Sequence, residues 1–121
     1  ASACPTPYQF DLMQLEAGFT PALLIQLDDL GFCHKGEGGD FLASGVTRPG
    51  GSKPLNTHGG MLSHCHPGNP GAMFGLTEAM LQMRGDAQAR QLANIQTALC
   101  HAQGGIMSSH ATLILGVEET L

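Results

Sequence analysis

The sequence predicts an α/β fold, with helices packed on a sheet, from three observations. A short apolar run, Phe10 to Leu15, is too brief for a typical helix and indicates a buried strand. Two later segments carry apolar residues at helical spacing, and the chain closes with two strand-like segments, Thr97 to Ala102 and His110 to Val117. The resulting order of strand, helix, long loop, helix, strand, strand is typical of helices layered on a sheet.

The first helix is predicted to begin at Thr20-Pro21. Thr20 is expected to cap it, and Pro21 suits the first turn, where a missing N–H breaks no helical hydrogen bond. Gly31 is expected to end the helix in the left-handed conformation. The apolar stripe between these signals consists of four leucines: Leu23, Leu24, Leu27 and Leu30.

Residues 32–54 are rich in glycine and turn residues, and they predict a long functional loop. A second helix is expected after Gly68-Asn69-Pro70 and should stop at Gly85. Gly104-Gly105 allows a tight connection between the last two strands. The stripe of the second helix is expected to lie in the core and comprises Met73, Leu76, Met80 and Met83.

The 121 residues suffice for one domain, predicted over residues 10–121, with residues 1–9 as a leader or connection. The net charge of -5 and the scattered bases argue against a nucleic-acid partner. Lys35, Arg48 and Lys53 share one loop region, where they could meet a phosphate, although ordinary solvated charges are the simpler interpretation. No apolar run approaches the ~18 residues of a membrane span. The low charged fraction of 12% suggests a large buried or partner-covered surface.

The cysteines indicate free thiols in a reducing cytoplasm. There are four of them, and none forms a Cys-x-x-Cys pair, which disfavours zinc-ribbon or thioredoxin chemistry. Cys65 and Cys100 each adjoin a histidine, so a nucleophilic role is an open alternative for either. Cys100 lies in an apolar strand, however, and is expected to be a small buried hydrophobe.

Candidate chemistry concentrates in residues 55–68, a segment of histidines, glycines and a His-Pro step. His58, His64 and His66 fall within nine residues, with Cys65 between the last two. Imidazoles transfer protons near neutral pH and stabilise developing anions. His64 and His66 would point the same way on an extended segment, so zinc is conceivable. Because ligands on one loop do not complete a tetrahedral site, no metal is predicted.

Glu16 follows the first predicted strand and precedes the first helix. A carboxylate at a buried strand end is a candidate general base with a raised pKa. An ordinary solvated loop acid fits the same spacing, and the sequence leaves both interpretations open.

Four segments of the chain resemble the C-terminal half of the second domain of the thiolase superfamily. The resemblance is closest to the lipid-transfer and sterol-carrier-protein-x type of thiolase-like protein, and it implies part of a C-terminal domain with a layered αβα fold. It includes the Gly-Gly…Ser-x-x-His-Pro-Gly block and the Ser-His-Ala-Thr-Leu-Ile-Leu ending. The segments span residues 10–30, 31–39, 50–68 and 99–116.

The resemblance implies roles for individual residues. His66 matches the histidine that activates the nucleophilic cysteine and helps bind the thioester oxygen, and Cys65 replaces the usual glycine beside it. Glu16 matches a loop residue that helps to build an oxyanion hole, and Gly18 stands where one branch has a catalytic cysteine. His101 is expected to flank the pocket, where the family's final Cys-x-Gly motif lacks its cysteine. Substrate contacts are expected from His58, His64, Cys65, Gly104 and Gly105.

The same resemblance implies a function. The chain is expected to be the C-terminal part of an acyl-CoA acyltransferase, with coenzyme A thioester as substrate and no covalent cofactor. The cysteine nucleophile would come from an N-terminal thiolase half or second subunit, and a small OB-fold, zinc-ribbon subunit is a further candidate partner. One alternative is a non-catalytic module that binds acyl-CoA or lipid. Another is retro-aldol cleavage of a CoA-linked side chain, a branch that uses tyrosines at the Glu16 and His64 positions.

Overall fold

A computed structural model describes residues 6–118 of the chain, so any leader within residues 1–5 lies outside the described residues. The described part contains three strands and four α-helices, with one 3₁₀ turn near each end of the helical region (Pro7–Gln9 and Gln88–Arg90). The strands are β1 (Leu12–Leu15), β2 (Thr97–Gly104) and β3 (Ser109–Gly116). The helices are α1 (Thr20–Asp29), α2 (Gly38–Ala43), α3 (Gly60–Ser63) and α4 (Gly71–Arg84).

The three strands form one sheet in the order β1-β2-β3. β1 and β2 are parallel, with Leu12 opposite Ala98 and Leu15 opposite His101. β2 and β3 are antiparallel and form a hairpin. A parallel pair needs a long crossover, which the four helices supply here. The register therefore brings the end of β1, just before Glu16, alongside the second half of β2.

The core lies on both faces of the sheet, because successive strand residues point to opposite faces. One face packs against α1, and its buried cluster is Phe10, Met13, Leu15, Leu27, Phe32 and Leu99. The other face packs against α4, and its cluster is Leu12, Ala79, Ile95, Ala98 and Cys100. The predicted α/β class and the αβα layering are confirmed.

The first helix differs from the prediction at its start. Thr20 is the first helical residue rather than the cap, and Phe19 occupies the cap position in an extended conformation. Pro21 lies in the first turn and Gly31 adopts φ +82°, both as predicted. The predicted loop of residues 32–54 was wrong in part, since it contains α2. Phe41 and Leu42 of that helix pack against the core beside α1, which explains why the segment is ordered as a helix.

The predicted core stripe of α4 was wrong for two methionines. Met73 and Met80 are 57% and 41% exposed, whereas Leu76 and Met83 pack against the core. Ala79 is buried on this helix together with Glu78 and Gln82, two polar residues that a stripe of apolar residues does not reveal. They tolerate burial because hydrogen bonds satisfy them.

The ends of the elements follow the predicted signals more closely. α4 begins at Gly71, directly after Pro70, and Gly85 ends it with φ +79°. β1 is two residues shorter than its predicted segment, and β2 runs on to Gly104. The connection from Gly105 through Met107 has positive φ throughout, which gives the tight hairpin that the glycine pair predicted.

Asn56 holds the end of β1 in place. Its Oδ1 accepts a hydrogen bond from the Leu15 N–H at 2.8 Å, and its Nδ2 donates to the Leu15 carbonyl at 2.9 Å. The amide side chain therefore replaces a neighbouring strand, one residue before Glu16. Asn56 itself has φ 49°, a left-handed conformation that asparagine tolerates better than most residues.

We expect Asn56→Ala to lower the free energy of unfolding by roughly 2–3 kcal/mol, because two hydrogen bonds of about 1 kcal/mol each are lost at a left-handed position. Urea unfolding measures the change. Asn94→Ala is the matched control, since Asn94 is exposed and also has positive φ. An equal loss in both variants would show that the backbone conformation alone, and not the clamp on Leu15, sets the stability.

The surface of the described residues carries many exposed apolar side chains, as the low charge predicted. Among them are Phe19, Ile25, Leu62, Ile106, Leu113 and Ile114. Within residues 6–118, no helix has the length and hydropathy required to cross a bilayer.

Candidate active site

Glu16 lies in a built pocket at the end of β1. It is only 8% exposed, and its backbone N–H donates to the His101 carbonyl at 3.0 Å. Its carboxylate accepts hydrogen bonds from the Gly18 N–H at Oε1 (3.0 Å) and from Gln103 Nε2 at Oε2 (2.5 Å). Gln26 of α1 donates to the Glu16 carbonyl at 2.7 Å. The solvated-acid interpretation of Glu16 is therefore wrong.

His66 faces Glu16 from the loop between α3 and α4. Its Nε2 lies 4.0 Å from Glu16 Oε1, and the imidazole is 46% exposed. The two side chains thus face each other at the limit of ion-pair distance, with the carboxylate buried and the imidazole open to the surface. The pairing joins two residues that the sequence identified separately.

Gly18 leaves the space between these two groups open. A Cβ at this position would lie 2.7 Å from Glu16 Oε1 and 2.8 Å from His66 Nε2, closer than real contacts allow. A cysteine, found at this position in one branch of the resembling family, would collide with both. The glycine is therefore a requirement of the Glu16–His66 arrangement.

Gly18→Ala should push the Glu16 carboxylate and the His66 imidazole apart, because the added Cβ would lie within 3 Å of an atom of each. The free energy of unfolding should change by no more than about 1 kcal/mol, because the crowded atoms are the ends of side chains that shift readily. A crystal structure and thermal unfolding of the variant measure the two effects. Gly39→Ala, where no atom lies within 4 Å of the added Cβ, is the control. Unchanged positions of both side chains in Gly18→Ala would contradict the geometry described for Glu16 and His66.

A groove of about 530 Å³ opens beside Glu16 and His66. Apolar walls dominate it, including Phe19, Met61 and Met107. Gly104 and Gly105 line it, and their contacts with substrate stay a prediction. The arrangement places one proton acceptor and one imidazole at the edge of a largely apolar cleft, which suits an apolar substrate with a reactive polar centre.

His101 adjoins the site without lining the groove. Its ring stacks on His110, with Nε2 3.3 Å from His110 Nδ1, and its Nδ1 lies 2.7 Å from Thr112 Oγ1. Desolvation, with a further effect of the His110 charge, lowers the pKa of His101. The ring also borders a cavity of about 20 Å³ that Glu16 and His58 line. A catalytic role for His101 stays a prediction.

The remaining predicted residues are not among those that line the groove, and their contacts with substrate stay predictions. The His64 ring packs edge-on against His58 and Phe74, at centroid distances of 5.3 and 5.4 Å. His64 and His66 therefore have different neighbours. Desolvation lowers the pKa of His58. Cys65 is half-buried and is not among the residues that line the groove.

Cys100 is a core residue, as predicted. It lies in the cluster beneath α4, and burial raises the pKa of its thiol to about 11.

Within residues 6–118, no three side chains among histidine, cysteine, aspartate and glutamate converge as metal ligands.

Gln103 is the site residue that the sequence did not identify. It lies two positions beyond His101 on β2, so strand alternation places both side chains on one face of the sheet. That alternation along β2 was the available signal. It leads to Glu16 only once β1 is known to pair with β2, because Gln103 and Glu16 are 87 residues apart in the sequence.

The chain belongs to the thiolase C-terminal domain-like family, whose model matches residues 1–117. Two curated relatives illustrate its range. The 17-hydroxy-3-oxo-4-pregnene-20-carboxyl-CoA lyase of Mycobacterium tuberculosis is 40% identical over 92% of this chain, and the acetyl-CoA acetyltransferase of Methanothermobacter thermautotrophicus is 34% identical over 83%. Among solved structures, the Ltp2-ChsH2(DUF35) aldolase superposes with a TM-score of 0.83 at 35% identity over 96% of this chain. The chain spans 27%, 26% and 29% of these three proteins, respectively.

Proposed function

We propose that this chain supplies the acid–base half of the active site in a coenzyme A thioester lyase that cleaves a carbon–carbon bond by retro-aldol chemistry. The observation that supports this most directly is the buried Glu16 carboxylate 4.0 Å from His66, beside a groove lined by no cysteine of the described residues. Retro-aldol cleavage needs a base and a donor to an enolate, and it needs no thiol from this part of the site.

The proposed reaction proceeds on a 3-hydroxyacyl thioester. The Glu16 carboxylate accepts the proton of the 3-hydroxyl group, and the oxygen electron pair forms the carbonyl of a ketone as the C2–C3 bond breaks. The bonding pair passes into the thioester enolate, whose oxygen accepts a hydrogen bond from His66 Nε2–H. Glu16 then returns its proton to C2. The products are a ketone and a shortened acyl-CoA, with no oxidant consumed.

Glu16 performs in this proposal the task that the lipid-transfer branch gives to tyrosine. A carboxylate at this buried position fits the role because two donors hold it and His66 faces it. The likeness to a carboxyl-CoA lyase and to an aldolase favours this chemistry over the acyltransferase first expected from the sequence.

The remainder of the site and the partners are part of the proposal. A segment equivalent to the N-terminal thiolase half would hold the rest of the acyl-CoA, and the exposed apolar side chains supply surface for such a contact. The name of the solved aldolase includes a DUF35 component, which supports an accessory subunit of that type for this chain.

Acyl transfer is the second candidate function. The identity to an acetyl-CoA acetyltransferase and the retained His66 favour it. That reaction forms an acyl-cysteine intermediate on a residue outside this chain, and it requires free coenzyme A for cleavage. A dependence on coenzyme A therefore separates the two candidates.

The test uses the native assembly that contains this chain. (1-Hydroxycyclopentyl)acetyl-CoA is supplied without free coenzyme A, and the products are identified by mass spectrometry. Cyclopentanone and acetyl-CoA in equal amounts are expected. A parallel reaction with 3-oxohexanoyl-CoA and coenzyme A measures thiolysis. Thiolysis without any formation of cyclopentanone would contradict the lyase proposal and support acyl transfer.

A further inference from the structure

Gln103 reaches across the sheet to the proposed base. Its Nε2 donates to Glu16 Oε2 at 2.5 Å, the shortest of the bonds that fix this carboxylate. We propose that Gln103 is a positioning residue, which holds the Glu16 carboxylate in the orientation that accepts the substrate proton. This inference rests on the proposed function of Glu16 as the base.

The carboxylate of Glu16 is held at both of its oxygens. Oε1 accepts from the Gly18 N–H at 3.0 Å and also faces His66, while Oε2 accepts from Gln103. With a single donor, the carboxylate of a glutamate can still rotate about its Cγ–Cδ bond. Here two donors fix that rotation, and they lie on different elements: Gly18 in the loop after β1 and Gln103 at the end of β2. The plane of the carboxylate relative to His66 therefore depends on Gln103.

The Gln103 amide presents its donor to Glu16. The reverse orientation of the amide would place two oxygen atoms 2.5 Å apart, which is repulsive against a carboxylate. The hydrogen bond to Glu16 Oε2 therefore fixes which way the amide points.

The strand makes Gln103 a rigid support. β2 pairs with both β1 and β3, and Gln103 lies directly opposite His110 in that ladder. Site residues on paired strands are held more closely than residues on loops. Gln103 is therefore held in the ladder with β3, two residues beyond the point where β1 pairs with His101.

Gln103→Met tests the inference, because methionine has a similar size and lacks the donor. In the native assembly, kcat for cleavage of (1-hydroxycyclopentyl)acetyl-CoA is expected to fall by about 10- to 100-fold with little change in KM. Gln103→His, which restores an N–H of similar reach, should recover much of that loss. Gln96→Met makes the same exchange at an exposed position just before the opposite end of β2 and serves as the control.

A double-mutant cycle separates positioning from a structural role. When Glu16 is already Gln, adding Gln103→Met should change the residual kcat by less than about 2-fold, because the group being positioned is gone. An equal loss in both backgrounds, or no loss in Gln103→Met alone, would overturn the inference.

A crystal structure of the Gln103→Met assembly provides a readout independent of turnover. The Glu16 carboxylate is expected to rotate away from the orientation that faces His66. An unmoved carboxylate would overturn the inference even if the wild-type assembly proved to be inactive on this substrate. Inactivity of the wild type together with a rotated carboxylate would instead count against the lyase proposal and leave the positioning role supported.

Discussion

We expect Glu16→Gln to lower the lyase activity by about 1,000-fold, within the range by which general bases contribute to catalysis. The substitution keeps the size of the side chain and removes its ability to accept the hydroxyl proton. The amide also meets two donors, Gly18 N–H and Gln103 Nε2, and pairs well with only one of them. Initial rates at saturating substrate measure the effect on kcat.

Two controls accompany the Glu16 variant. Glu37→Gln makes the same exchange at an exposed position at the start of α2 and should leave the rate unchanged. The thermal unfolding midpoint of Glu16→Gln should stay well above the assay temperature, which excludes a loss of fold as the cause. Retention of a tenth or more of the activity in Glu16→Gln would show that another group is the base.

The second large effect is expected from Glu78→Ala, with a loss of about 3 kcal/mol in the free energy of unfolding. Glu78 is 2% exposed, and Arg90 pairs with its carboxylate through Nε and Nη2. Thr57 and Gln82 also donate to it. Removal of the carboxylate leaves these donors unpaired at the junction of α4 with the loop before α3. Denaturant unfolding at neutral pH measures the loss.

The effect of Glu78→Ala should depend on pH. Burial alone raises the pKa of Glu78, but the hydrogen bonds from Arg90, Gln82 and Thr57 outweigh burial and lower it. A lowered pKa in the folded state stabilises the fold above the unfolded value of about 4.3, and this contribution disappears as the pH falls through the folded value. The difference between wild type and Glu78→Ala should therefore shrink below about pH 4.

Glu37→Ala is the matched control for this series, because Glu37 is exposed; it should change stability by no more than about 0.5 kcal/mol. A pH-independent difference between wild type and Glu78→Ala would show that lost packing, and not the ionised carboxylate, accounts for the effect.

The fold could be predicted where local signals act alone. Pro21, Gly31 and Gly85 mark helix ends by their own backbone preferences, and the structure places them at those ends. The buried face of α4 could not be predicted in this way. Glu78 is buried because Arg90 and Thr57, 12 and 21 residues away, come to it in the folded chain. The periodicity of a sequence shows where apolar residues recur, but it does not show which distant residues will pair with a polar one.

The candidate site was predictable to the extent that its residues carry recognisable motifs. His66 and Glu16 were identified on the sequence, but their 4.0 Å separation depends on the return of the chain after α3. Gln103 carries no motif and acquires its role only through the parallel pairing of β1 with β2. His58 and His64 share a motif segment with His66, yet ring packing with Phe74 turns His64 to other neighbours.

In the proposed reaction, the Glu16–His66 pair cleaves a carbon–carbon bond without an acyl-enzyme. Acid quenching of the native assembly during turnover of (1-hydroxycyclopentyl)acetyl-CoA, followed by intact-mass measurement of every chain, detects any acyl-enzyme that forms. We expect all chains at their unmodified masses while cyclopentanone accumulates. An acetyl adduct on a cysteine that forms and decays at the rate of turnover would rule out the proposed reaction and establish thiolase-type acyl transfer.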